Sequence, residues 1–464
     1  MSDPTASSLH RRSVLKGAAG AGATLAVLGP FGALGSATAS AEASATGRSN
    51  RARRSDYGEL LPARDQTTGL ELLKLPRGFE YLSFGWTNDL MADGRPTPST
   101  HDGMAAFEVD RPGQKHLVRL VRNHERGNGT PFADPGATYD PTASGGTTNL
   151  VFDARRAELV EDYASLSGTV RNGAGGPTPR GTWLTCEETT QVNGGTRHGY
   201  VFEVPADGVS DARPLTGMGR FSHEATATDP RTGIVYETED AGSSALYRYV
   251  PVDRHDLAAG GVLEALRLEG TADTRGWGTG DTAAADWVVV DRPDWAPGEP
   301  SCWDQASAKG AARIVRGEGT WYGNDVIYVV STSGGPAGQG QVFAYDPGAS
   351  TFTCVYASPS GDVLNAPDNI TVSPRGGLVV CEDGGGSEYL HGLTPDGDIF
   401  RFAENNAVLT PELAAAKGYS GTDFRSSEWA GATFEPRKGE WLFANLQSPG
   451  VTFAITGPWA RGAL

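Results

Sequence analysis

One hairpin, repeated along the chain, limits what this sequence can fold into. From Ser222 it reads SHEATATDPRTGIVYETEDAGSSALYRYVP, from Pro367 PDNITVSPRGGLVVCEDGGGSEYLHGLTPDGDIFRF, and from Ser427 SEWAGATFEPRKGEWLFANLQSPGVTFAIT. Each unit has a polar or acidic start, a short strand, a turn, an apolar strand, a polar loop and an aromatic strand. His101–Asp153, Thr169–Val204 and Arg316–Asp346 fit the same pattern more loosely. Aligned on the end of the middle strand, the six positions are Glu125, Glu187, Glu239, Ser331, Glu382 and Asn445, in steps of 62, 52, 92, 51 and 63 residues. Repeats of this length with three or four strands each mark propeller blades. The sequence therefore predicts an all-β, six-bladed β-propeller forming one domain over residues 59–464. The long step predicts a helical or irregular insertion at about 251–312. Helical signal is otherwise confined to Thr410–Lys417, with Pro411 at a first-turn position.

Composition agrees with a turn-rich globular chain: 63 Gly, 29 Pro and ten Trp in 464 residues, with 38% hydrophobic. The net charge is −17, and it is uneven. Residues 1–54 hold seven Lys and Arg against two acids, which leaves −22 on the rest. Such an excess argues against nucleic acid or an anionic membrane as partner, since phosphate backbones require clustered Lys and Arg. The basic start has its own logic. Arg11-Arg12 precedes an apolar stretch to about Ala33, then Ala39-Ser40-Ala41. These are the parts of a cleavable twin-arginine export signal at 1–41, and they imply the twin-arginine export machinery as partner. Gly17, Gly20, Gly22, Gly29 and Pro30 dilute the stretch too far for a membrane anchor. Residues 42–58 read as a disordered lead-in. The expected product is an extracellular or periplasmic monomer with no anchor after cleavage.

In a propeller the inner strands face one channel, so equivalent positions of different blades converge. The inner strands begin at Asp102, Asn172, Glu224, Glu318, Asp368 and Glu428, and the middle strands end at Glu125, Glu187-Glu188, Glu239-Asp240, Ser331, Glu382-Asp383 and Asn445. Like charges crowded on one axis repel by several kcal/mol at reduced dielectric unless cations offset them. Oxygen donors in such numbers, with Asn369 supplying a carbonyl oxygen, suit Ca²⁺ first. Cys186, directly before an acidic pair, suits iron or zinc. Cys381 reads instead as a small buried apolar residue. The four cysteines allow disulfides without requiring them. His223 is a candidate for orienting a substrate oxygen. Arg220 and Arg316 stand just before acidic positions, either as ion-pair partners or as forks for an oxyanion.

Several motifs occur in order: Val121-Arg122-Asn123-His124-Glu125, Thr185-Cys186-Glu187-Glu188, Gly219-Arg220-Phe221-Ser222-His223-Glu224, Arg316-Gly317-Glu318, Pro367-Asp368-Asn369 and Cys381-Glu382-Asp383-Gly384. With the twin-arginine leader and Asp102-Gly103-Met104-Ala105-Ala106-Phe107, this set resembles the PhoX family of secreted alkaline phosphatases, from about Gly69 to Phe453. The resemblance implies a six-bladed propeller whose channel mouth holds Ca²⁺ and Fe³⁺ and acts on small phosphomonoesters. It implies Cys186 as an iron ligand. Glu224, Glu318, Asp368 and Asn369 would serve the metal cluster, Glu224 and Glu318 acting in catalysis, with Glu125, Glu187 and Glu382 as further metal ligands. Arg316 would contact phosphate. The chain departs from the family pattern at Gly317, where Pro is usual, and at Ser331-Thr332-Ser333-Gly334, where Thr-Asn-Asn is usual. The residues alone also leave open another calcium-dependent propeller hydrolase, of the lactonase, phosphotriesterase or phytase type, and a calcium-stabilised binding propeller without catalysis.

Overall fold

Short strands separated by Gly-, Pro- and Asp-containing turns pair antiparallel with their sequence neighbours, as consecutive hairpins must. The computed structural model describes residues 55–464. The export signal expected at 1–41, and the lead-in as far as residue 54, lie outside the described residues. Six inner strands stand side by side in a closed ring: His101–Glu108, Asn172–Pro177, His223–Thr228, Gly317–Gly323, Pro367–Val372 and Trp429–Phe434. Further strands run outward from each. The ring is sealed by the N-terminal strand Glu80–Phe84, which pairs with Val451–Thr456 at the C-terminal end and so joins the two ends of the chain.

The propeller class holds, but the hydrogen bonding does not divide into six separate blades. Four sheets have four or more strands, and one has three. The difference has a local cause. In the long step of the repeat, Thr282–Val289 pairs on one side with Gly261–Leu268 and on the other with Thr351–Ala357. It thereby fuses two neighbouring units into one nine-stranded sheet. The hairpin Leu60–Ala63 with Leu73–Pro76 adds to the outer edge of another sheet. The region expected as an insertion is thus partly sheet. It also holds a helix, Cys302–Ser307, started by a capping box between Ser301 and Asp304. The helix read near residue 410 spans Pro411–Ala416, with Thr410 accepting a hydrogen bond from the Leu413 N–H at 3.2 Å. Among the described residues no helix is long and apolar enough to cross a membrane.

All six inner strands carry a β-bulge at the same place, between residues 101 and 104, 172 and 175, 223 and 226, 317 and 320, 367 and 370, and 430 and 433. A bulge bends its strand and leaves a residue out of the ladder, free to point elsewhere. The third residue of each bulge is small or an amide: Gly103, Ala174, Ala225, Gly319, Asn369 and Ala432. These residues meet around an axial gap of about 10 Å³, at the limit of what one water needs. A Cβ on Gly103 would lie 2.4 Å from the Ala174 Cα. Behind the bulges, Asn123 donates to the carbonyls of Gly173 and Ala174 at 2.8 and 2.7 Å, and Trp183 donates to Asn123 Oδ1 at 2.8 Å. The unpaired backbone therefore keeps its hydrogen bonds.

Gly103→Ala should lower stability by about 1–3 kcal/mol through overpacking against backbone that cannot yield, seen as a lower guanidinium midpoint at constant slope. Gly127→Ala, where an added Cβ meets nothing within 4 Å, should leave the midpoint in place.

Candidate active site

The second residue of each bulge points into one end of the channel. In four strands it is an acid: Asp102, Glu224, Glu318 and Asp368. In the other two it is Gly173 and Gly431. A Cβ on Gly173 would lie 2.5 Å from Glu224 Oε2, so the glycine makes room for that carboxylate. Glu224, Glu318 and Asp368 each bring a carboxylate oxygen within 4.8 Å of the others. Asp102, Glu125 and Glu428 form a second such triad. The structure thus brings Glu224, Glu318, Asp368 and Glu125 together as the sequence suggested.

A second tier of acids comes from the middle strands, and here strand alternation corrects the sequence reading. Successive side chains of a strand point to opposite faces. In each acidic doublet only the second member reaches the channel end. Glu187 is buried and points the other way. It accepts from the N–H groups of Val170, Gly199 and Tyr200 at 2.9, 2.8 and 3.2 Å, and from His198 Nδ1 at 2.6 Å. Glu382 likewise accepts from the Asn365 and Tyr389 N–H groups at 2.7 and 3.1 Å. Glu239 accepts from the Tyr247 hydroxyl at 2.8 Å. Glu187 and Glu382 therefore hold backbone and belong to neither carboxylate triad. Their neighbours Glu188, Asp240 and Asp383 face the acids of the inner strands. The backbone N–H groups of Glu125, Glu188, Asp240 and Asp383 donate to the carbonyls of Thr100, Arg171, Ser222 and Ala366 at 2.8–3.0 Å. The fourth unit places Thr332 at this position, its N–H bonded to the Arg316 carbonyl at 3.1 Å.

Two arginines span the ring. Arg316 forks onto Asp240, Nε to Oδ1 at 2.8 Å and an Nη to Oδ2 at 3.1 Å, and the same Nη reaches Glu318 at 3.0 Å. Arg171 bridges Glu125 at 3.0 Å and Glu188 at 2.6 Å. Both side chains are about half exposed, and each keeps one terminal nitrogen without a bond among the described residues. Sequence reading named Arg316 and missed Arg171. The signal was present: Arg171 precedes Asn172 as Arg316 precedes Gly317, each one step before an inner strand.

Four other candidates lie elsewhere or do something else. Arg220 is buried, donating to the carbonyls of His198 at 2.9 Å and of Thr190, with Trp295 stacked at 4.7 Å; it ties the loop after residue 290 to the second unit. His223 is fully buried, stacked on Phe221 at 3.6 Å, with Nε2 toward the Gly219 carbonyl and Nδ1 3.4 Å from Glu237. Burial pushes its imidazole down to about 3, which leaves it neutral and turned from the channel. Cys186 sits in an apolar cluster with Leu184, Val201, Leu215, Met218 and Phe221. Alternation puts it on the face opposite Thr185 and Glu187, and it joins neither triad. Burial raises its thiol well above the ordinary range. All four cysteines are free and buried. Asn369 accepts from the Gly431 N–H at 2.8 Å and donates to Asp368 at 3.0 Å, so it positions Asp368.

The donor set is carboxylate oxygen, with neither thiolate nor imidazole in the triads. It fits Ca²⁺ or another hard cation, and it does not fit iron held through Cys186. Burial first, and neighbouring acids second, raise Asp368 to about 7 and hold Asp102 and Glu224 well above the carboxylate range. Glu318 and Glu428 shift the same way from the same causes. For Glu188, burial leads; Arg171 pulls the value down and Glu125 and Asp240 push it up, and the carboxyl ends at about 8. A carboxyl whose folded value is raised binds more protons folded than unfolded. Its stabilising contribution is complete below the unfolded value near 4 and is lost as pH rises through the folded one. In chelator the melting temperature should therefore fall by about 5 °C or more between pH 5 and 8.5. Excess Ca²⁺ should abolish most of that fall. A chelated protein equally stable at both pH values would show that the acids are not coupled.

The profile of the PhoX alkaline phosphatase family matches residues 55–450. Among curated proteins none matches the sequence. Of solved structures, PhoX of Pseudomonas fluorescens in complex with vanadate, a transition-state analogue, is 18% identical with a TM-score of 0.63, over 88% of this chain and 98% of that one. A gluconolactonase of Xanthomonas campestris is 14% identical at a TM-score of 0.44, over 86% and 98% of the two chains. A match of the family profile over most of the chain, on a propeller whose repeated bulges gather acids at one end, has one consequence: this protein belongs to the PhoX alkaline phosphatase family and is a phosphatase.

Proposed function

We propose that the protein is an exported, metal-dependent phosphatase that hydrolyses small phosphomonoesters at the carboxylate ring, and that it works as a monomer. The observation that carries this reading is the pair of carboxylate triads with a half-exposed arginine beside each. That the Pseudomonas PhoX forms a complex with vanadate, a transition-state analogue, supports phosphoryl chemistry on this fold. Glu224, Glu318 and Asp368 would hold one hard cation, Ca²⁺ first, and Asp102, Glu125 and Glu428 another. Bound cations would offset the acids and supply positive charge for the phosphate oxygens. Fe³⁺ enters this reading only through carboxylates. Arg316 is held by Asp240 and Glu318, which leaves its free terminal nitrogen to donate to an equatorial phosphate oxygen, where charge grows in the transition state. Arg171 presents a free nitrogen in the same manner from the other pair of acids. The export signal at 1–41 would carry the folded chain, metals loaded, out of the cytoplasm.

Metal content and p-nitrophenyl phosphate turnover, measured on the same preparation with and without chelator, test the reading. The expected result is calcium in the purified protein and turnover that chelation removes and Ca²⁺ restores. Arg316→Ala should lower kcat/KM by about 10- to 100-fold, with Arg316→Lys only partly restoring it. Cys186→Ser should keep both metal and turnover; loss of both together would return Cys186 to the ligand set. No phosphomonoester turnover with any divalent cation would overturn the proposal.

A further inference from the structure

Apart from the carboxylate ring, the described residues enclose a recess of about 630 Å³, a volume typical of small-molecule sites. Its wall includes Arg95, Arg126 and Lys417, with Phe132 and Tyr419 as aromatic surfaces. Among the described residues no Asp or Glu lines it, in a chain whose net charge is −17. Two of the three cations are already answered: Arg95 pairs with Asp93 at 3.2 Å and Asp134 at 2.7 Å, and Lys417 pairs with Asp89. Arg126 has no acidic partner among the described residues. It is half-buried, and burial alone lowers its guanidinium below the ordinary arginine value. A desolvated cation without a partner is costly, and a fork-shaped one is matched by a phosphate or carboxylate.

The recess also adjoins the ring. Arg126 follows Glu125, a member of one triad, and its carbonyl accepts from the Arg171 N–H at 2.8 Å. Pro98 and Ser99, in the same wall, lead directly into the strand that carries Asp102. A phosphoester held at the ring would have its organic part beside this recess.

We propose that the recess receives the leaving-group side of the substrate and selects organic phosphates that carry a second anionic group, bound by Arg126. This rests on the reading of the ring as a phosphatase site and adds its substrate class. Fructose 6-phosphate, fructose 1,6-bisphosphate and 3-phosphoglycerate differ in that second group: none, a phosphate and a carboxylate. The wild-type protein should show a lower KM for one or both of the doubly anionic esters than for fructose 6-phosphate, and the better of the two identifies the group. Arg126→Ala should raise that KM about tenfold more than it raises the KM for p-nitrophenyl phosphate. Arg126→Lys should recover part of the difference, with kcat little changed. Equal effects of Arg126→Ala on all esters, or no preference in the wild type, would overturn the inference while leaving the phosphatase reading intact. If no ester is turned over, calorimetry with fructose 1,6-bisphosphate still decides. Binding weakened about tenfold by Arg126→Ala keeps the recess as an anion site after the phosphatase reading has failed, and unaltered or absent binding removes it.

Discussion

Repulsion among buried carboxylates is the constraint on which the rest of this structure depends. Asp102, Glu224 and Glu318 are each at most 5% exposed, and Glu125, Glu188, Asp368 and Glu428 crowd against them. Hydrophobic packing between sheets must outweigh this repulsion for the chain to fold at all. The fold does so by spreading the burden. Asp102, Glu224, Glu318 and Asp368 are each fixed by the bulge of a different inner strand, and the sheets bury apolar residues against one another. The sealing strand Glu80–Phe84 closes the ring, so that no sheet can swing outward to relieve the charge.

The acidic doublets show how packing and function share adjacent residues. Glu187 satisfies three backbone N–H groups and a histidine, and Glu188, one residue on, faces the channel. Glu382 and Asp383 divide the work in the same way. The first member fixes the strand end by bonds that would otherwise be left unmade in a buried loop. The second inherits a fixed position from it. The two carboxylates are thus unlike in consequence. Removing the first loosens the platform, whereas removing the second relieves repulsion.

Much of this was legible in the sequence, because a repeat converts weak local signals into a register. The propeller class and the convergence of acids followed from aligning six hairpins, and the resemblance to PhoX singled out Glu224, Glu318 and Asp368 among them. What failed was what a register accurate to only one residue cannot carry. Glu187 and Glu188 point to opposite sides of the strand end, so an error of one exchanges a carboxylate that holds buried backbone for one that faces the channel. Glu187, Glu382 and His223 each stand one residue before a channel acid and fall to that error, whereas Cys186, two residues before Glu188, packs into an apolar cluster. The fusion of two units through Thr282–Val289 was also invisible, since its alternation reads as exposed sequence until a partner edge is known.

The two arginines show what the repeat itself supplies and what was added to it. Arg171 and Arg316 have φ of 53° and 46°, in the left-handed region that non-glycine residues seldom enter. Thr100 and Ala366, at corresponding positions of two other units, have φ of 57° and 47°. Neither carries a charge, so the strained backbone cannot be the result of arginine chemistry. It belongs to the unit: the left-handed residue turns its carbonyl to accept the N–H of the following channel residue and sends the chain into the bulge. Four units accept that conformation, and only two of them place a guanidinium on it. Strain of roughly 1 kcal/mol per site is therefore part of building the ring, and the cations were set where the backbone already aimed a side chain at the acids. Where no acid stands at the strand end, as at Thr332, the arginine before it turns to Asp240 of the preceding unit and Glu318 of its own strand. The position is inherited from the fold, and the ion pairs are chosen by the neighbours.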